Sequence, residues 1–442
     1  MGLLLPYGRH CRRYGQVLIG FQKWRAMSFV LSAITLCEKD KEKDIEMGNF
    51  KTLNDYDFKG KRVLVRADLN VPVKDGKVTD TTRIDRFAPT AKEIAAKGGK
   101  VIIVSHFGRP EGQKNPAFSL KVVYDDLKKA LAPVPLTFVD DCIGEKVDEA
   151  VAKMKDGEAL LLENLRFYPE EEKNDPSFAL ALTKNADIYV DDAFSTAHRA
   201  HASTDGAARL LPNAAGHLME EELTALDKAL GNPVRPVAAI VGGAKISTKL
   251  DLLGNLVEKV NVLIIGGGMA NTFLYAKGTD IGTSLCEKDM APNAKAIIAK
   301  AKEKGCEIVL PSDFVVAKSL EDEQGAKVVK VVPDDEMILD IGPESVEDII
   351  AKLKTCKTLI WNGPVGAFET PAFAKATFAI AKAVAILTKE GKLLSVAGGG
   401  DTVSALKKAG VIGDMTYVST AGGAFLEWME GKSLPGVKAL GG

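Results

Sequence analysis

Short continuous apolar runs recur along the chain, each followed by a stretch of helical periodicity. Val63-Leu64-Val65, Val101-Ile102-Ile103-Val104, Leu160-Leu161-Leu162 and Ile188-Tyr189-Val190 mark the first half. Ala238-Ala239-Ile240-Val241, Val262-Leu263-Ile264-Ile265, Leu359-Ile360-Trp361, the run 392–397 and Tyr417-Val418-Ser419 mark the second. Helical patterns lie between them, for example over 87–96 and 122–131. Runs without polar alternation are buried on both faces, as in parallel sheets. The strand–helix alternation therefore predicts an α/β protein with doubly wound parallel sheets, and ligands bind beyond the carboxyl ends of such strands.

The residues just past each strand differ between the halves. In the first, the strands run into Arg66-Ala67-Asp68-Leu69-Asn70, Ser105-His106-Phe107-Gly108-Arg109, Glu163-Asn164-Leu165-Arg166 and Asp191-Asp192-Ala193 through Arg199. Arg83 lies in a nearby turn. In the second they run into Gly242-Gly243-Ala244-Lys245, Gly266-Gly267-Gly268, Asn362-Gly363-Pro364, Gly398-Gly399-Gly400-Asp401-Thr402 and Ala421-Gly422-Gly423. The switch falls across a helical pattern over 216–231, so the chain divides there. Residues 48–221 form an N-terminal domain and 222–432 a C-terminal domain that opens with this helix, a candidate hinge.

Composition narrows the classes. In 442 residues, 58 Lys and Arg oppose 59 Asp and Glu, so the net charge of −1 gives no global case for nucleic acid or an anionic membrane. No apolar run is long enough to span a bilayer. The 6 cysteines are scattered without a C-x-x-C pair, which points to reduced thiols in a cytoplasmic compartment. Residues 1–47 differ: Arg9, Arg12, Arg13, Lys23 and Arg25 all precede the first acid, Glu38. This leader reads as a disordered extension, as residues upstream of a true start at Met47, or as a targeting peptide.

Guanidinium groups bind carboxylate and phosphate bidentately, so Arg66, Arg83, Arg109, Arg166 and Arg199, with His106, predict a small and multiply anionic ligand. The glycine-rich ends that open helices suit phosphates, and Asp401 offers a hard oxygen for magnesium. Lys245 and Lys249, four apart, would share a helix face beside Gly242 and Gly243. Asn362 and Glu369 are polar groups able to hold a ribose or an active-site turn. His198 and His201 are three apart but lack a third metal ligand nearby. Neither G-x-x-x-x-G-K-[ST] nor G-x-G-x-x-G is present. An anion site facing a magnesium-nucleotide site across a cleft is what phosphoryl transfer requires.

These blocks, together with Glu163-Asn164-Leu165-Arg166-Phe167, Thr196-Ala197-His198-Arg199-Ala200-His201 and Trp361-Asn362-Gly363-Pro364, closely resemble the phosphoglycerate kinase family from about Phe50 to Gly441. The resemblance implies two Rossmann-like domains across a hinged cleft, with residues 433–442 returning to the first. It implies reversible, magnesium-dependent conversion of 1,3-bisphosphoglycerate and ADP into 3-phosphoglycerate and ATP, in glycolysis and gluconeogenesis, by a monomer in the cytoplasm. It assigns Asp68, Asn70, Arg83, His106, Arg109, Arg166 and Arg199 to the triose acid. Arg66, Lys245, Gly422 and Gly423 go to the transferring group. Lys249, Gly242, Gly243, Gly266, Gly267, Asn362, Glu369, Gly399, Gly400, Asp401 and Thr402 go to the nucleotide, with Asp401 on Mg²⁺.

Two departures from the family pattern carry expectations. Ala421 replaces a glycine and is tolerable only at negative φ. Asp191 replaces an asparagine and would add a carboxylate near the anion site. Two rivals remain at this level. A dehydrogenase would need the dinucleotide fingerprint, which is missing. A catalytically dead scaffold on the same fold would have lost Lys245, Asp401 or several arginines, all of which are present.

Overall fold

The structure is a computed structural model that describes residues 50–441. The expectations for the leader lie outside the described residues. In chain order the first lobe holds β1 (Arg62–Ala67), a small hairpin of β2 (Val73–Lys74) and β3 (Lys77–Val78), β4 (Lys100–Val104), β5 (Leu136–Val139), β6 (Ala159–Leu162), β7 (Ile188–Asp192) and β8 (Asn213–Ala215). Six of these form one sheet in the order β5-β6-β4-β1-β7-β8, parallel throughout. Both faces are covered. Leu64, Ile102, Leu160 and Tyr189 enter one core, while Val63, Val65, Ile103 and Val190 enter the other with Phe87 and Ile94 of helix Thr82–Ala96. This two-sided burial is why the strands read as unbroken apolar runs.

The second lobe holds β9 (Val237–Val241), β10 (Val262–Ile265), β11 (Glu307–Val309), β12 (Phe314–Ala317), β13 (Lys327–Val329), β14 (Met337–Ile341), β15 (Thr358–Asn362), β16 (Leu394–Gly398) and β17 (Tyr417–Ser419). Its parallel sheet runs β11-β10-β9-β15-β16-β17. Among its own strands that is the 3-2-1-4-5-6 order, with the switch point between β9 and β15. In the first lobe the order reverses between β1 and β7. Each switch point places a crevice at strand ends the sequence marks as chemical. A separate antiparallel sheet, β13-β12-β14, was not legible in the sequence. Its outer strands are half-exposed and carry no chemical signature.

Helix His217–Leu226, continued by a π-helical turn at Asp227–Gly231, links the lobes. Its buried Met219, Leu223 and Leu226 belong to one hydrophobic cluster that runs from Leu64 and Tyr189 to Leu263 and Phe425. After the second lobe the chain returns. In helix Pro435–Leu440, Gly436 N–H donates to Ala197 O at 2.9 Å, and Asn213 Nδ2 donates to Ala439 O at 3.1 Å. Among the described residues, no helix is long and apolar enough to cross a membrane.

Candidate active site

At the β1 end, Arg66 is buried against the sheet. Its Nε donates to Ser203 Oγ at 2.9 Å, Nη1 to Ala67 O, and Nη2 to His106 Nδ1 at 3.1 Å. Arginine has no acceptor, so His106 Nδ1 must be unprotonated. Burial, reinforced by Arg66 and Arg166, holds the His106 pKa well below its usual value. His106 is therefore a neutral imidazole with its proton on Nε2. Asp68 Oδ2 accepts from Arg83 Nη1 at 2.7 Å and from Ser195 Oγ. Arg83 Nη1 also donates to Asn70 O, and Asn70 Oδ1 accepts from Gly108 N–H at 3.0 Å. Arg166 Nη1 donates to Gly108 O at 2.9 Å, and its Nε lies 3.2 Å from Glu172 Oε1.

One chain of contacts thus joins Asp68, Asn70, Arg83 and Arg166, and a second joins Arg66 to His106. Arg199 Nε donates to His198 Nε2 at 3.2 Å. Arg109 stands apart, exposed and without an ion pair among the described residues. The cations outnumber the carboxylates that touch them, and burial lowers the Arg166 pKa. The edge is left with uncompensated positive charge. Asp191 brings its carboxylate close to Arg66, as expected, but within the buried sheet. It is fully buried opposite Arg66 in the β1–β7 register and accepts from Ala193 N–H at 2.9 Å, so it lies beneath the site and not in its wall. Burial pushes its pKa up to about 6.

The second-lobe edge differs more from the sequence reading. Lys245 and Lys249 do not share a helix. The helix begins only at Leu250, after a 3-10 turn at Ser247–Lys249 whose Ser247 N–H and Oγ are claimed by Glu287. Lys245 is exposed, whereas Lys249 folds inward, donating to Gly242 O at 2.6 Å and Asn362 Oδ1 at 2.7 Å. Burial brings its pKa down to about 8.

Asn362 Nδ2 donates to Gly398 O, and Thr402 Oγ1 accepts from Gly363 N–H at 2.7 Å. Both side chains therefore tie strand ends together. Gly242 serves the same end, since a Cβ there would fall 1.8 Å from Pro364 O. At Gly266 a Cβ would meet Val365 at 2.7 Å. These two glycines are required for packing between turns. Gly400 faces open space at the start of helix Gly400–Lys408, with the exposed Asp401 in its first turn. Glu369 is likewise exposed.

The edges meet at a cavity of about 200 Å³ lined by Asp68, Arg83 and Ser195 from one lobe and by Tyr417, Thr420 and Ala421 from the other. Tyr417 O–H donates to Glu222 Oε2 of the linking helix at 2.6 Å, and Arg86 reaches Glu221 at 3.3 Å. Gly423 opens helix Gly423–Met429 close to His198, whose Nε2 would lie 3.5 Å from a Cβ there. Gly422 has φ 55°, while Ala421 is absent from the positive-φ residues, so its methyl is accommodated. Among the described residues there is no cluster of three or more His, Cys, Asp or Glu suited to a metal.

Sequence reasoning missed Ser203 and Glu171. Glu171 sits in the run Glu170-Glu171-Glu172, which reads as a solvated face, yet it is fully buried. A hint was available in Pro169, which starts a one-turn helix and turns the middle acid inward.

The family model described as phosphoglycerate kinase matches residues 53–432. A phosphoglycerate kinase from Rhodospirillum centenum is 59% identical over 394 residues, 89% of this chain and 99% of that protein. One from Sinorhizobium medicae is 60% identical, covering 88% and 98%. Among solved structures, phosphoglycerate kinase from Coxiella burnetii matches with TM-score 0.82 and 43% identity over 88% of this chain and 98% of that one. The Pyrococcus horikoshii enzyme matches with TM-score 0.71 and 32% identity over the same shares.

Proposed function

The chain belongs to the phosphoglycerate kinase family, glycolytic phosphotransferases that interconvert 1,3-bisphosphoglycerate plus ADP with 3-phosphoglycerate plus ATP, and on that premise we propose how its residues divide the work. The N-terminal part, 48–221 with 433–442, holds the triose acid through Asp68, Asn70, Arg83, His106, Arg109, Arg166 and Arg199. The C-terminal part, 222–432, holds the nucleotide. The observation that supports this is an arginine edge with more cations than carboxylates touching them, meeting Thr420, Ala421 and the glycine-opened helix Gly423–Met429 across a cavity.

In the direction of ATP use, a carboxylate oxygen of 3-phosphoglycerate attacks the γ-phosphorus and the bond to the β–γ bridging oxygen breaks, releasing ADP. That carboxylate is ionised at neutral pH, so no general base is needed. The barrier lies in bringing anions together, and catalysis is mostly positioning and charge stabilisation. Arg66 and Lys245 offset charge on the group in flight, with the helix start at Gly422 and Gly423, close to His198, assigned to the same group. Lys249 and the helix start at Gly400 take the nucleotide phosphates, and Glu369 the ribose. Asn362, Thr402, Gly242 and Gly266 act by shaping these turns, with Gly243, Gly267 and Gly399 beside them. Asp401, exposed and without a hydrogen-bond or ion-pair partner among the described residues, is suited to hold Mg²⁺ jointly with phosphate oxygens. The ion would supply charge neutralisation on those phosphates. We place the enzyme in the cytoplasm, a reading supported by the free Cys142, Cys286, Cys306 and Cys356, and propose that it acts as a monomer.

The test is ATP-dependent phosphorylation of 3-phosphoglycerate, pulled forward by coupled reduction of the acyl phosphate. Turnover is expected, and Lys245→Ala should lower kcat while 3-phosphoglycerate and ADP still bind. Absence of turnover with ADP bound would favour a scaffold. An unchanged kcat in Lys245→Ala would remove that residue from the mechanism.

A further inference from the structure

Among the described residues Arg66 has no direct carboxylate partner, although it is 1% exposed. A buried guanidinium normally finds an ion pair, because removing its charge from water is costly. Asp191 is buried beside Arg66 in the β1–β7 register without bonding to it, and a second carboxylate acts indirectly. Ser203 Oγ accepts from Arg66 Nε and donates onward to Glu171 Oε1 at 2.6 Å, while Ser203 N–H donates to Glu171 Oε2 at 2.9 Å. The direction of the first bond is fixed, since arginine cannot accept, and that frees the hydroxyl proton for the carboxylate. Glu171 is completely buried, and its other neighbour is His201, with Nδ1 at 3.8 Å.

We propose that Ser203 and Glu171 are positioning residues for the phosphoryl-transfer step: they hold Arg66 through a relayed hydrogen bond that orients its guanidinium without neutralising it. Arginine has five N–H donors in a rigid fork. Three are used, on Ser203, Ala67 and His106. One N–H on each Nη remains, a matched pair for an anionic phosphoryl oxygen. A carboxylate paired directly with that fork would occupy the donors and cancel the charge the transition state needs. One hydroxyl farther away, Glu171 still offsets the burial of Arg66 but takes up neither of its Nη donors. His106 holds the other side of the guanidinium as a neutral acceptor.

The inference rests on the reading of Arg66 as a catalytic residue, and the experiment separates the two. Glu171→Gln, Ser203→Ala, Arg66→Ala and the double variant Arg66→Ala/Glu171→Gln are compared in the full chain at saturating substrates. A misplaced catalytic group can cost about 100-fold, so kcat in Glu171→Gln and Ser203→Ala is expected to fall by roughly ten- to 100-fold. The KM for ATP should stay within about three-fold, because a positioning loss acts on the transition state. The double variant should be no slower than Arg66→Ala alone, since the relay acts only through that side chain. Multiplying losses in the double variant, or unchanged kcat in Glu171→Gln and Ser203→Ala beside a slow Arg66→Ala, would overturn the relay. An unchanged Arg66→Ala would overturn the catalytic reading itself and the proposal with it. Ser203→Ala keeps the backbone bond to Glu171 and carries the test if Glu171→Gln does not fold.

Discussion

Lys249 shows how one side chain can be poised by its surroundings. Its ammonium is folded against Gly242 O and Asn362 Oδ1, and burial brings its pKa down to about 8. In an unfolded chain the same group titrates near 10.4. Between about pH 8 and 10.4 the unfolded state therefore binds more protons, and the Lys249 contribution to stability rises with pH across that window. Nucleotide binding acts in the opposite sense. A phosphate beside the ammonium favours its charged form and raises its pKa. Near pH 8.5, where the free protein holds this site mostly deprotonated, ADP binding should take up a fraction of a proton. Calorimetry in buffers of different ionisation enthalpy reads that uptake directly. It should vanish in Lys249→Met, and equal uptake in both proteins would assign the proton elsewhere.

At the scale of elements, the strand–helix junctions do more than expose ligand groups. Asp192 ends β7, and its Oδ1 accepts from Leu218 N–H at 2.8 Å and from Met219 N–H at 3.4 Å in the first turn of the linking helix. Its carboxyl is fully buried, which pushes its pKa well up. Removing such a cap typically costs about 1 kcal/mol or more, so Asp192→Ala should lower the denaturant midpoint. Asp192→Asn keeps the acceptor and carries no charge to bury, so it should match or exceed the parent near neutral pH. Equal losses in both would mean that the cap is not the source.

The apolar runs revealed the parallel strands because both faces are buried, and the charged groups Arg66, Arg166 and Asp401 stand at or just past strand ends, as the sequence pattern placed them. What the sequence could not reveal was the use of each group. Gly242 and Gly400 look alike as letters, yet one packs against Pro364 and the other is open. Glu171 looks surface-bound yet is buried, because its partner Ser203 arrives from 32 residues along the chain, and Asp191 is buried because β7 lies between β1 and β8 in the sheet.

On the scale of the whole molecule, the last residues close a circuit. The linking helix carries the chain out of the first lobe, and the segment after Lys432 brings it back. There Leu434, Val437 and Leu440 are buried in the cluster that contains Ala197, Ala207 and Ala208. Two hydrogen bonds pin the return, from Gly436 N–H to Ala197 O and from Asn213 Nδ2 to Ala439 O. Full burial of each aliphatic side chain contributes roughly 1.5–3 kcal/mol, so loss of all three should remove on the order of 5 kcal/mol. The effect should not spread evenly. Ala197 lies in the turn that leads into Arg199 of the anion edge, whereas Lys249 and Asp401 lie on elements with which helix Pro435–Leu440 makes no extensive contact. A chain ending at Lys432 should therefore have a much lower urea midpoint and weaker 3-phosphoglycerate binding, while its ADP affinity changes little. Parallel loss of both ligands would mean instead that the segment supports the protein only as a whole, with no local claim on the anion edge.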